Sequence, residues 1–272
     1  MKRLRFVKME GAGNDYIYID GIAQPIDVEQ AAALASRLAD RHFGIGGDGL
    51  ILLAPSACAD ARMVMWNVDG SRGAMCGNGL RCLAKLAHDA GHVRDLALRV
   101  ETDSGVFDVQ LHTDPAGDVV GAKVPMVGSR VAAEPSTVTI DGREWSFHAG
   151  LAGNPHAVVF VDDPLDDQPV ERIGRAFQTL PQFHDGVNVE FVRVEPPHTL
   201  HQRTFERGSG ETLACGTGAT AAVLAALGSG RLPGPEVEVR LRGGTLVFRQ
   251  LPSGVLEMDG PTTTVFVGEI EI

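Results

Sequence analysis

The sequence lacks the long apolar segments of membrane and secreted proteins. Its best apolar run, residues 219–227, is far below the roughly 20 residues that span a bilayer. The basic residues at the start are not followed by the apolar core of a secretory signal, because Lys8 and Glu10 interrupt that stretch. We therefore expect a cytoplasmic protein with no membrane as partner.

Clustered positive charge is missing as well. Lysine and arginine total 24 against 35 aspartates and glutamates, and the formal net charge is −11. Because binding to a phosphate backbone needs clustered Lys and Arg, we expect no nucleic acid partner. The remaining composition, 44% hydrophobic and 22% charged over 272 residues, is that of a globular protein long enough for two domains.

Cysteine pairs with metal or redox spacing are absent. The four cysteines (Cys58, Cys76, Cys82 and Cys215) form no Cys-x-x-Cys motif, so neither a zinc ribbon nor a thioredoxin-like site is expected. A zinc site of Cys76, Cys215 and His156 would lack the short ligand spacing of zinc motifs, and we expect no metal. Free thiols are expected, with Cys58 and Cys82 as small buried hydrophobes.

A glycine-rich cysteine turn occurs twice. Met75-Cys76-Gly77-Asn78-Gly79 and Ala214-Cys215-Gly216-Thr217-Gly218 lie 139 residues apart, and each leads into a helical pattern. The N–H groups at a helix start attract anions, and the helix dipole there should lower a thiol pKa. Two equivalent cysteines predict one reaction with a thiol on either side of a carbon. A Cys–His hydrolase is the alternative, but it leaves the second cysteine unexplained.

The duplication extends along the whole chain. Further pairs of blocks recur in the same order at offsets of 139 to 142 residues, and they begin at Ala12 and Ala152, His42 and His184, and Ser104 and Gly243. We predict an α+β fold of two homologous domains, residues 1–120 with Cys76 and residues 121–261 with Cys215. A strand at 262–272 is expected to return to the first domain. Helices are predicted from Asp27, at 170–177, and after each cysteine turn, with Gly91 and Gly228 ending the last two.

The loop Gly44-Ile45-Gly46-Gly47-Asp48-Gly49 matches the glycine spacing of a dinucleotide site. Such a site needs a strand before the loop and a helix after it. Here a helix is predicted before it and a strand after it, so we interpret it as a connecting loop.

Several polar residues fall in predicted turns beside strands. Asn14 and Asn154 occupy equivalent repeat positions, and Asn67 and Asn188 lie in similar turns. Glu206 and Arg207 precede the second cysteine turn; they could hold an ammonium and a carboxylate group, respectively. Singly, each asparagine is typical of a turn; together they predict a pocket for a zwitterion. His156 could tune a thiol, although a single histidine is often structural.

These blocks resemble the diaminopimelate epimerase family over essentially the whole chain. The matching segments are Lys8–Asp15, Asn67–Ser71, Met75–Cys82, Gly153–His156, Asp185–Asn188 and Glu206–Gly218. The family implies two similar α+β domains related by a pseudo-twofold axis, each with a strand-rich barrel around a central helix. It also implies an isomerase that needs no cofactor and no pyridoxal phosphate, acts in bacterial lysine and peptidoglycan precursor synthesis, and forms a homodimer.

The resemblance also implies roles for individual residues. Cys215 would be the base and Cys76 the acid for conversion of LL- to meso-diaminopimelate, with His156 and Glu206 adjusting the thiol pKa values. Some relatives carry a substrate-contacting Gln where Gly49 stands. The substrate contacts implied by the match are Asn14, Asn67, Gly77, Asn78, Asn154, Asn188, Glu206, Arg207, Gly216 and Thr217.

Three alternatives remain open at the level of sequence. A proline or hydroxyproline racemase of the same fold typically has His where Asn78 stands and lacks the Glu206-Arg207 pair. A histidine racemase and a non-catalytic amino-acid-binding protein are the others. Binding alone would need neither cysteine, which favours an enzyme.

Overall fold

The chain forms two compact α+β units. The computed structural model describes residues 3–272. Unit 1 comprises Met1–Val124 and Asp259–Ile272, and unit 2 is Pro125–Met258. None of the described helices is long and apolar enough to span a membrane.

Short strands are the most abundant regular structure among residues 3–272. The strands are β1 (Arg3–Gly11), β2 (Asn14–Asp20), β3 (Gly49–Ala54), β4 (Ala61–Asn67), β5 (Arg72–Gly73), β6 (Ala97–Thr102), β7 (Gly105–Thr113), β8 (Val119–Pro125), β9 (Arg130–Val131), β10 (Ser136–Ile140), β11 (Arg143–Ala152), β12 (Asn154–Phe160), β13 (Asn188–Glu195), β14 (Thr199–Glu206), β15 (Gly210–Thr212), β16 (Glu236–Leu241), β17 (Gly244–Gln250), β18 (Leu256–Pro261) and β19 (Thr263–Glu271). The α-helices are α1 (Val28–Ala39), α2 (Gly77–Asp89), α3 (Val170–Phe177) and α4 (Gly216–Gly228), with a 3-10 turn at Leu165–Asp167.

The two units repeat one pattern of strand pairing. In unit 1, β1–β2 is antiparallel, β2–β3 parallel, β3–β4 antiparallel, β4–β6 parallel and β6–β7 antiparallel. In unit 2, the pairs β11–β12, β12–β13, β13–β14, β14–β16 and β16–β17 follow the same order of orientations. The predicted α+β class and its duplication are therefore confirmed. In unit 1, β19 also pairs antiparallel with β1.

A central helix lies among the strands of each unit. α2 contacts β1, β2, β3, β4, β6 and β7, and α4 contacts β9, β11, β12, β13, β14, β16 and β17. The apolar stripe predicted for α2, including Leu80, Leu83 and Ala84, is fully buried. α4 is buried on nearly every side, which explains its composition of alanine and other small residues. The strands of each unit thus surround one helix, and a candidate catalytic cysteine directly precedes it: Cys76 before α2 and Cys215 before α4.

Helices α1 and α3 pack on the outer side of their sheets. α1 contacts β2, β3 and β4, while α3 contacts β13, β14 and β15. Their buried residues include Ala31, Ala35 and Leu38 in α1 and Ile173 and Phe177 in α3. These positions follow the helical spacing of the sequence. The bounds of α3 coincide with the predicted range 170–177.

Two details of helix termination and capping differ from prediction. Asp27 occupies the N-cap of α1, but its side chain makes no capping hydrogen bond, so the capping box does not form. Gly228 is the last residue of α4 rather than its cap, and Gly230, with φ +69°, takes the left-handed position after it. Gly91, with φ +77°, follows α2 as predicted and donates its N–H to His88 O.

Candidate active site

Cys76 and Cys215 occupy the same position in their units. Each is the N-cap residue of a central helix, with extended backbone angles (φ −136°, ψ 118° at Cys76; φ −129°, ψ 107° at Cys215). Each Sγ accepts the N–H three residues on, from Gly79 at 3.4 Å and from Gly218 at 3.3 Å. The sulfur therefore replaces the oxygen of a usual capping side chain and lies at the positive end of the helix dipole.

In unit 1 the thiol of Cys76 faces an amide oxygen. Cys76 Sγ lies 3.2 Å from Asn14 Oδ1 as donor, and Asn78 Nδ2 donates to the same oxygen at 3.4 Å. The other end of Asn14 is fixed because its Nδ2 donates to Asp48 Oδ2 at 2.6 Å. This arrangement orients the Asn14 carbonyl toward the sulfur, so it suits a protonated thiol.

A network of charges holds Asp48. Arg41 bridges Asp48 and Asp15 at 2.8 and 2.6 Å, and Lys8 contacts Asp15 at 2.5 Å. Burial, and then the charge of Asp15, raise the pKa of Asp48. Burial also opposes ionisation of Asp15, but the hydrogen bonds from Arg41 and Lys8 outweigh it and lower its pKa. The loop at residues 44–49, which the sequence predicted to be only a connection, therefore orients Asn14 through Asp48.

A buried arginine completes the first turn of α2. Arg81 is fully buried, and its Nη2 donates to Asn78 Oδ1 at 2.8 Å. Burial lowers the pKa of Arg81, opposed by the nearby thiols Cys82 and Cys76. A guanidinium at this place adds positive charge to the helix start and fixes the Asn78 amide.

In unit 2 the sulfur of Cys215 faces donors. Asn188 Nδ2 lies 3.8 Å from Cys215 Sγ, and Thr217 Oγ1 lies 3.4 Å from it. Asn188 is oriented by the backbone N–H of Arg207, which donates to Asn188 Oδ1 at 2.9 Å. The Arg207 guanidinium is held by a hydrogen bond from Nη1 to Asp185 O at 2.8 Å. Donors converging on the sulfur suit a thiolate.

The expectation that the helix dipole lowers the thiol pKa is wrong for Cys215. Burial, and then the carboxylates of Glu206 and Glu190, raise the pKa of Cys215 well above its ordinary value. The hydroxyl of Thr217 and the N–H of Gly218 act in the opposite direction but do not prevail. Burial and the two carboxylates thus favour the protonated form of this thiol.

His156 and Glu190 form a buried ionisable pair in unit 2. Nδ1 of His156 lies 2.9 Å from Oε1 of Glu190, and both side chains are fully buried. His156 pairs with Asn188 in the β12–β13 register, and Glu190 is two residues beyond Asn188. Because alternate residues of a strand share a face, His156, Asn188 and Glu190 lie on one face of the sheet. From that face Asn188 contacts Cys215.

Some of the predicted site residues are not joined to a cysteine by the hydrogen bonds described here. Asn67 Nδ2 donates to Ser71 Oγ at 2.9 Å in the turn after β4. Asn154 begins β12, and its Oδ1 is buried with no hydrogen-bond partner among residues 3–272. Glu206 ends β14, accepts from Thr212 Oγ1 at 2.5 Å and acts on Cys215 through its charge. Gly77 and Gly216 each begin a central helix.

The other two cysteines differ from each other. Burial raises the pKa of Cys82 to about 12, which fits the predicted role of a small hydrophobe. Cys58 is exposed, with its Sγ 3.7 Å from Ser56 Oγ, so its predicted burial is wrong. It follows β3 in a surface loop rather than lying within a strand. The described residues contain no cluster of three or more His, Cys, Asp or Glu side chains suited to a metal.

Backbone crowding explains why this chain has Gly49 where some relatives carry a glutamine. A Cβ there would lie 2.0 Å from Trp66 O, so this backbone cannot carry the glutamine found in some relatives. Sequence reasoning also missed Asp48, Arg81 and Glu190. For Glu190 a signal existed, since it is a charged residue inside the otherwise apolar segment Val189–Val192.

Comparison with solved structures identifies the class of fold. A phenazine biosynthesis protein of the PhzF family from Bacillus anthracis matches with a TM-score of 0.78 at 16% identity, covering 100% of both chains. A hydroxyproline epimerase from Agrobacterium vitis matches with a TM-score of 0.74 at 18% identity, covering 99% of this chain and 91% of that one. The chain therefore has the duplicated fold that these proteins share.

Comparison of sequences identifies the family. The family model described as diaminopimelate epimerase matches residues 6–125 and 149–265. A diaminopimelate epimerase from Leptospira biflexa is 42% identical over 99% of this chain and all of the relative. One from Geobacillus thermodenitrificans is 43% identical over 97% of this chain and 95% of the relative. The chain belongs to the diaminopimelate epimerase family, as the sequence motifs predicted.

Proposed function

We propose that this protein interconverts LL- and meso-2,6-diaminopimelate, without a cofactor, by moving a proton at one α-carbon. The observation that carries the proposal is the pair of equivalent N-cap cysteines, Cys76 and Cys215, each with its sulfur at the start of a central helix. Inversion at carbon needs proton removal from one face and proton delivery to the other. Two thiols, one acting as base and the other as acid, provide both steps.

The neighbours of each sulfur support an assignment of roles. Each sulfur accepts one backbone N–H, but Cys76 also donates to the oxygen of Asn14, whereas Cys215 also faces the amide N–H of Asn188. The family resemblance implies that Cys215 is the base and Cys76 the acid in the direction from LL to meso. In the reverse direction the roles exchange.

Charge stabilisation comes from the two helix starts. Removal of the α-proton places negative charge on the carbon and its carboxylate. The free N–H groups that begin α2 and α4, at Gly77 and Gly216, are preorganised donors for such charge. With them we propose Asn14, Asn67, Asn78, Asn154, Asn188, Arg207 and Thr217 as substrate-binding residues.

Glu206 and His156 are proposed to control ionisation of the Cys215 thiol. The carboxylate of Glu206 raises the pKa of Cys215, so an ammonium group of the substrate paired with Glu206 would remove that effect. Ionisation is then favoured only when substrate is bound. This coupling limits unproductive reaction of a free thiolate.

The wider setting follows from the family resemblance. We propose a cytoplasmic, pyridoxal-phosphate-independent enzyme of lysine and peptidoglycan precursor synthesis that acts as a homodimer on a small-molecule substrate. Analytical ultracentrifugation of the purified chain tests the dimer. A single monomer peak across the micromolar range would contradict it.

Deuterium incorporation tests the reaction. Reduced protein is incubated with LL-diaminopimelate in D₂O without added cofactor, and the product is analysed by chiral separation and mass spectrometry. We expect one deuterium at the inverted α-carbon of meso product. Incorporation with proline or histidine but not with diaminopimelate would assign a different racemase, and binding without any incorporation would indicate a binding protein.

A further inference from the structure

Cys76 lies beside a row of hydrogen-bonded side chains that ends in a charged group on each side. Asn14 Oδ1 lies 3.2 Å from Cys76 Sγ, and Asn14 Nδ2 donates to Asp48 Oδ2 at 2.6 Å. Asn78 Nδ2 donates to the same Asn14 oxygen at 3.4 Å, and Asn78 Oδ1 accepts from Arg81 Nη2 at 2.8 Å. Two amides thus lie between a carboxylate and a guanidinium.

The two charged ends allow one arrangement of the amides. An asparagine can present either its oxygen or its nitrogen to a neighbour, whereas an ionised carboxylate only accepts and a guanidinium only donates. Arg81 therefore requires the oxygen of Asn78, which turns the nitrogen of Asn78 toward Asn14. Asp48 requires the nitrogen of Asn14. Both ends consequently direct the oxygen of Asn14 toward the sulfur of Cys76.

Asp48 is itself held by donors. The backbone N–H of Asp15 donates to Asp48 Oδ2 at 3.1 Å, and Arg41 Nη2 donates to Asp48 Oδ1 at 2.8 Å. One carboxylate oxygen therefore faces Asn14 and the other faces Arg41. Because the backbone N–H cannot turn away, the main chain fixes the position of Oδ2 and, through it, the direction of the Asn14 amide.

The equivalent position in unit 2 has no carboxylate. In unit 1 the residue after Asp48 pairs with the second residue after Asn14, and in unit 2 the residue after Val187 pairs with the second residue after Asn154. Val187 is apolar and fully buried, and Oδ1 of Asn154 has no hydrogen-bond partner among residues 3–272. Of these two equivalent positions, the one in the unit of Cys76 carries the group that orients an asparagine.

We infer that Asp48 is a positioning residue of the Cys76 half-site, which holds Asn14 with its oxygen toward the sulfur and so keeps the proton on Cys76 when no substrate is bound. An acceptor beside a sulfur favours the thiol over the thiolate. Without Asp48, the longer bond from Asn78 opposes rotation of Asn14 less firmly, and the Asn14 nitrogen can turn to donate to the sulfur. The use of this proton in catalysis rests on the proposed function; its place in the free protein does not.

Other ionisable groups near Cys76 are unchanged by substitution of Asp48. Arg81 and Cys82 on α2 and Tyr18 on β2 interact with Cys76 by charge, and Glu10 on β1 interacts in this way with Cys82. Burial raises the pKa of Cys82 to about 12 and the pKa of Tyr18 well above its ordinary value, so both stay neutral near neutral pH. Differences between Asp48 variants therefore report the action of Asp48.

Alkylation of Cys76 measures its ionisation without any activity. Full-length reduced protein is treated with iodoacetamide over a series of pH values, and the modified fraction of Cys76 is read by peptide mass spectrometry. In Asp48→Leu, which removes the acceptor, we expect the midpoint to fall by about 0.5 to 1 pH, the effect of one hydrogen bond on a pKa. In Asp48→Asn the new amide oxygen still accepts from Asn14, so the midpoint should stay within about 0.2 pH of the wild type.

Substitution of Asn14 separates orientation from charge. Asn14→Ala removes the oxygen beside the sulfur and should lower the Cys76 midpoint by about as much as Asp48→Leu does. Addition of Asp48→Leu to Asn14→Ala should then change nothing further, because the carboxylate acts through Asn14. Asp27→Asn is the matched control, since Asp27 is an exposed carboxylate of the same unit without a capping bond. Its Cys76 midpoint should equal that of the wild type.

The outcomes keep this inference apart from the proposed function. A fall of more than about 0.5 pH in Asp48→Asn would show that the charge acts directly on the thiol, and no fall in Asn14→Ala would show that the Asn14 oxygen does not hold the proton. Either result overturns the inference, and neither depends on whether Asp48→Leu folds. Absence of deuterium incorporation by the wild type would instead contradict the proposed function and leave the alkylation result intact.

Discussion

The two candidate thiols have opposite surroundings although their backbones match. Each sulfur accepts one N–H at its helix start, but Cys76 also meets the oxygen acceptor of Asn14, whereas Cys215 also meets the amide donor of Asn188. An acceptor beside a sulfur favours a protonated thiol, and a donor beside it favours a thiolate. At Cys215, however, burial and the carboxylates of Glu206 and Glu190 outweigh the donors and raise the pKa of the thiol. The hydrogen bonds of the two sulfurs therefore differ without making Cys215 a thiolate in this structure.

Replacing either thiol should abolish epimerisation. Because general acid–base catalysis contributes about 10²- to 10⁴-fold, Cys76→Ala and Cys215→Ala should each lose at least about 100-fold in the rate of meso-diaminopimelate formation. Cys58→Ala is the control, since Cys58 is exposed in a loop and should keep the wild-type rate. Full activity of Cys76→Ala would show that the two-base scheme is wrong.

Neutralising Glu206 should make Cys215 easier to ionise. Burial and then the Glu206 carboxylate raise the pKa of Cys215, so removal of that charge moves the pKa downward. Below the pKa, each unit of lowering multiplies the thiolate fraction about tenfold. In Glu206→Gln, iodoacetamide alkylation of Cys215, followed by peptide mass spectrometry, should have its midpoint at lower pH.

Cys58 in the same sample serves as the internal reference for that experiment. Its alkylation rate should be equal in the wild type and the variant, because its loop is remote in sequence and exposed. An unchanged or higher midpoint for Cys215 would show that Glu206 does not control this thiol.

The sequence named the candidate site residues more completely than the residues that orient them. Cys76, Asn14 and Asn78 were all named from motifs, and the structure joins them by hydrogen bonds. Asp48 and Glu190 were missed because they act on Asn14 and His156 across 34 residues of chain. Such contacts depend on strand register, which no local pattern encodes. The direction of the Cys215 pKa shift was missed for the same reason, since burial and two carboxylates outweigh the helix dipole.

At the scale of elements, the central helices owe their position to residues without side chains. Gly79 and Gly218 allow the first turns of α2 and α4 to approach β3 and β13 closely. The duplication predicted the bounds of α3 to the residue, and helical periodicity predicted the apolar stripe of α2. The capping motifs misjudged two helix ends, because Asp27 forms no cap bond and Gly228 still lies within α4. Caps depend on backbone angles that hydrophobic spacing does not report.

Two glycines of α4 should respond oppositely to alanine. Gly→Ala in a helix usually stabilises by about 0.5–1 kcal/mol. At Gly218 the new Cβ would lie 2.5 Å from Glu190 Oε1, and such overpacking costs about 1–3 kcal/mol. Gly228→Ala meets nothing within 4 Å and should stabilise. Urea unfolding at equilibrium measures both, and a Gly218→Ala variant as stable as Gly228→Ala would contradict the close approach.

At the scale of the molecule, unit 1 is discontinuous in sequence. β19 follows the whole of unit 2 along the chain and pairs with β1 through eight residue pairs from Arg3–Glu271 to Glu10–Thr263. Phe6 and Phe266 pack edge to face at 5.9 Å within this pair. The duplication was readable in the sequence because blocks recur at a constant offset. A return of the final strand to the first domain was anticipated from its alternating pattern, but its pairing with β1 was not.

Removing β19 should open unit 1 selectively. A variant ending at Thr262 leaves the N–H and C=O groups of β1 without a ladder on that side, so hydrogen exchange in β1 should accelerate at least about tenfold. Strand β13, in unit 2, should keep its protection and serves as the control within the same molecule. Equal acceleration in both strands would indicate that the two units unfold as one.

The discontinuity of unit 1 also orders events during translation. Unit 2 is complete once Met258 has been made, whereas unit 1 still awaits β19 at that moment. Domains fold as units while the chain is being synthesised. Unit 2 therefore completes its folding before unit 1, although most of unit 1 is synthesised earlier. Until then β1 presents an open edge, of the kind that pairs with other chains. A nascent chain of this protein is therefore most exposed to mispairing in the interval between the synthesis of Met258 and the pairing of β19 with β1.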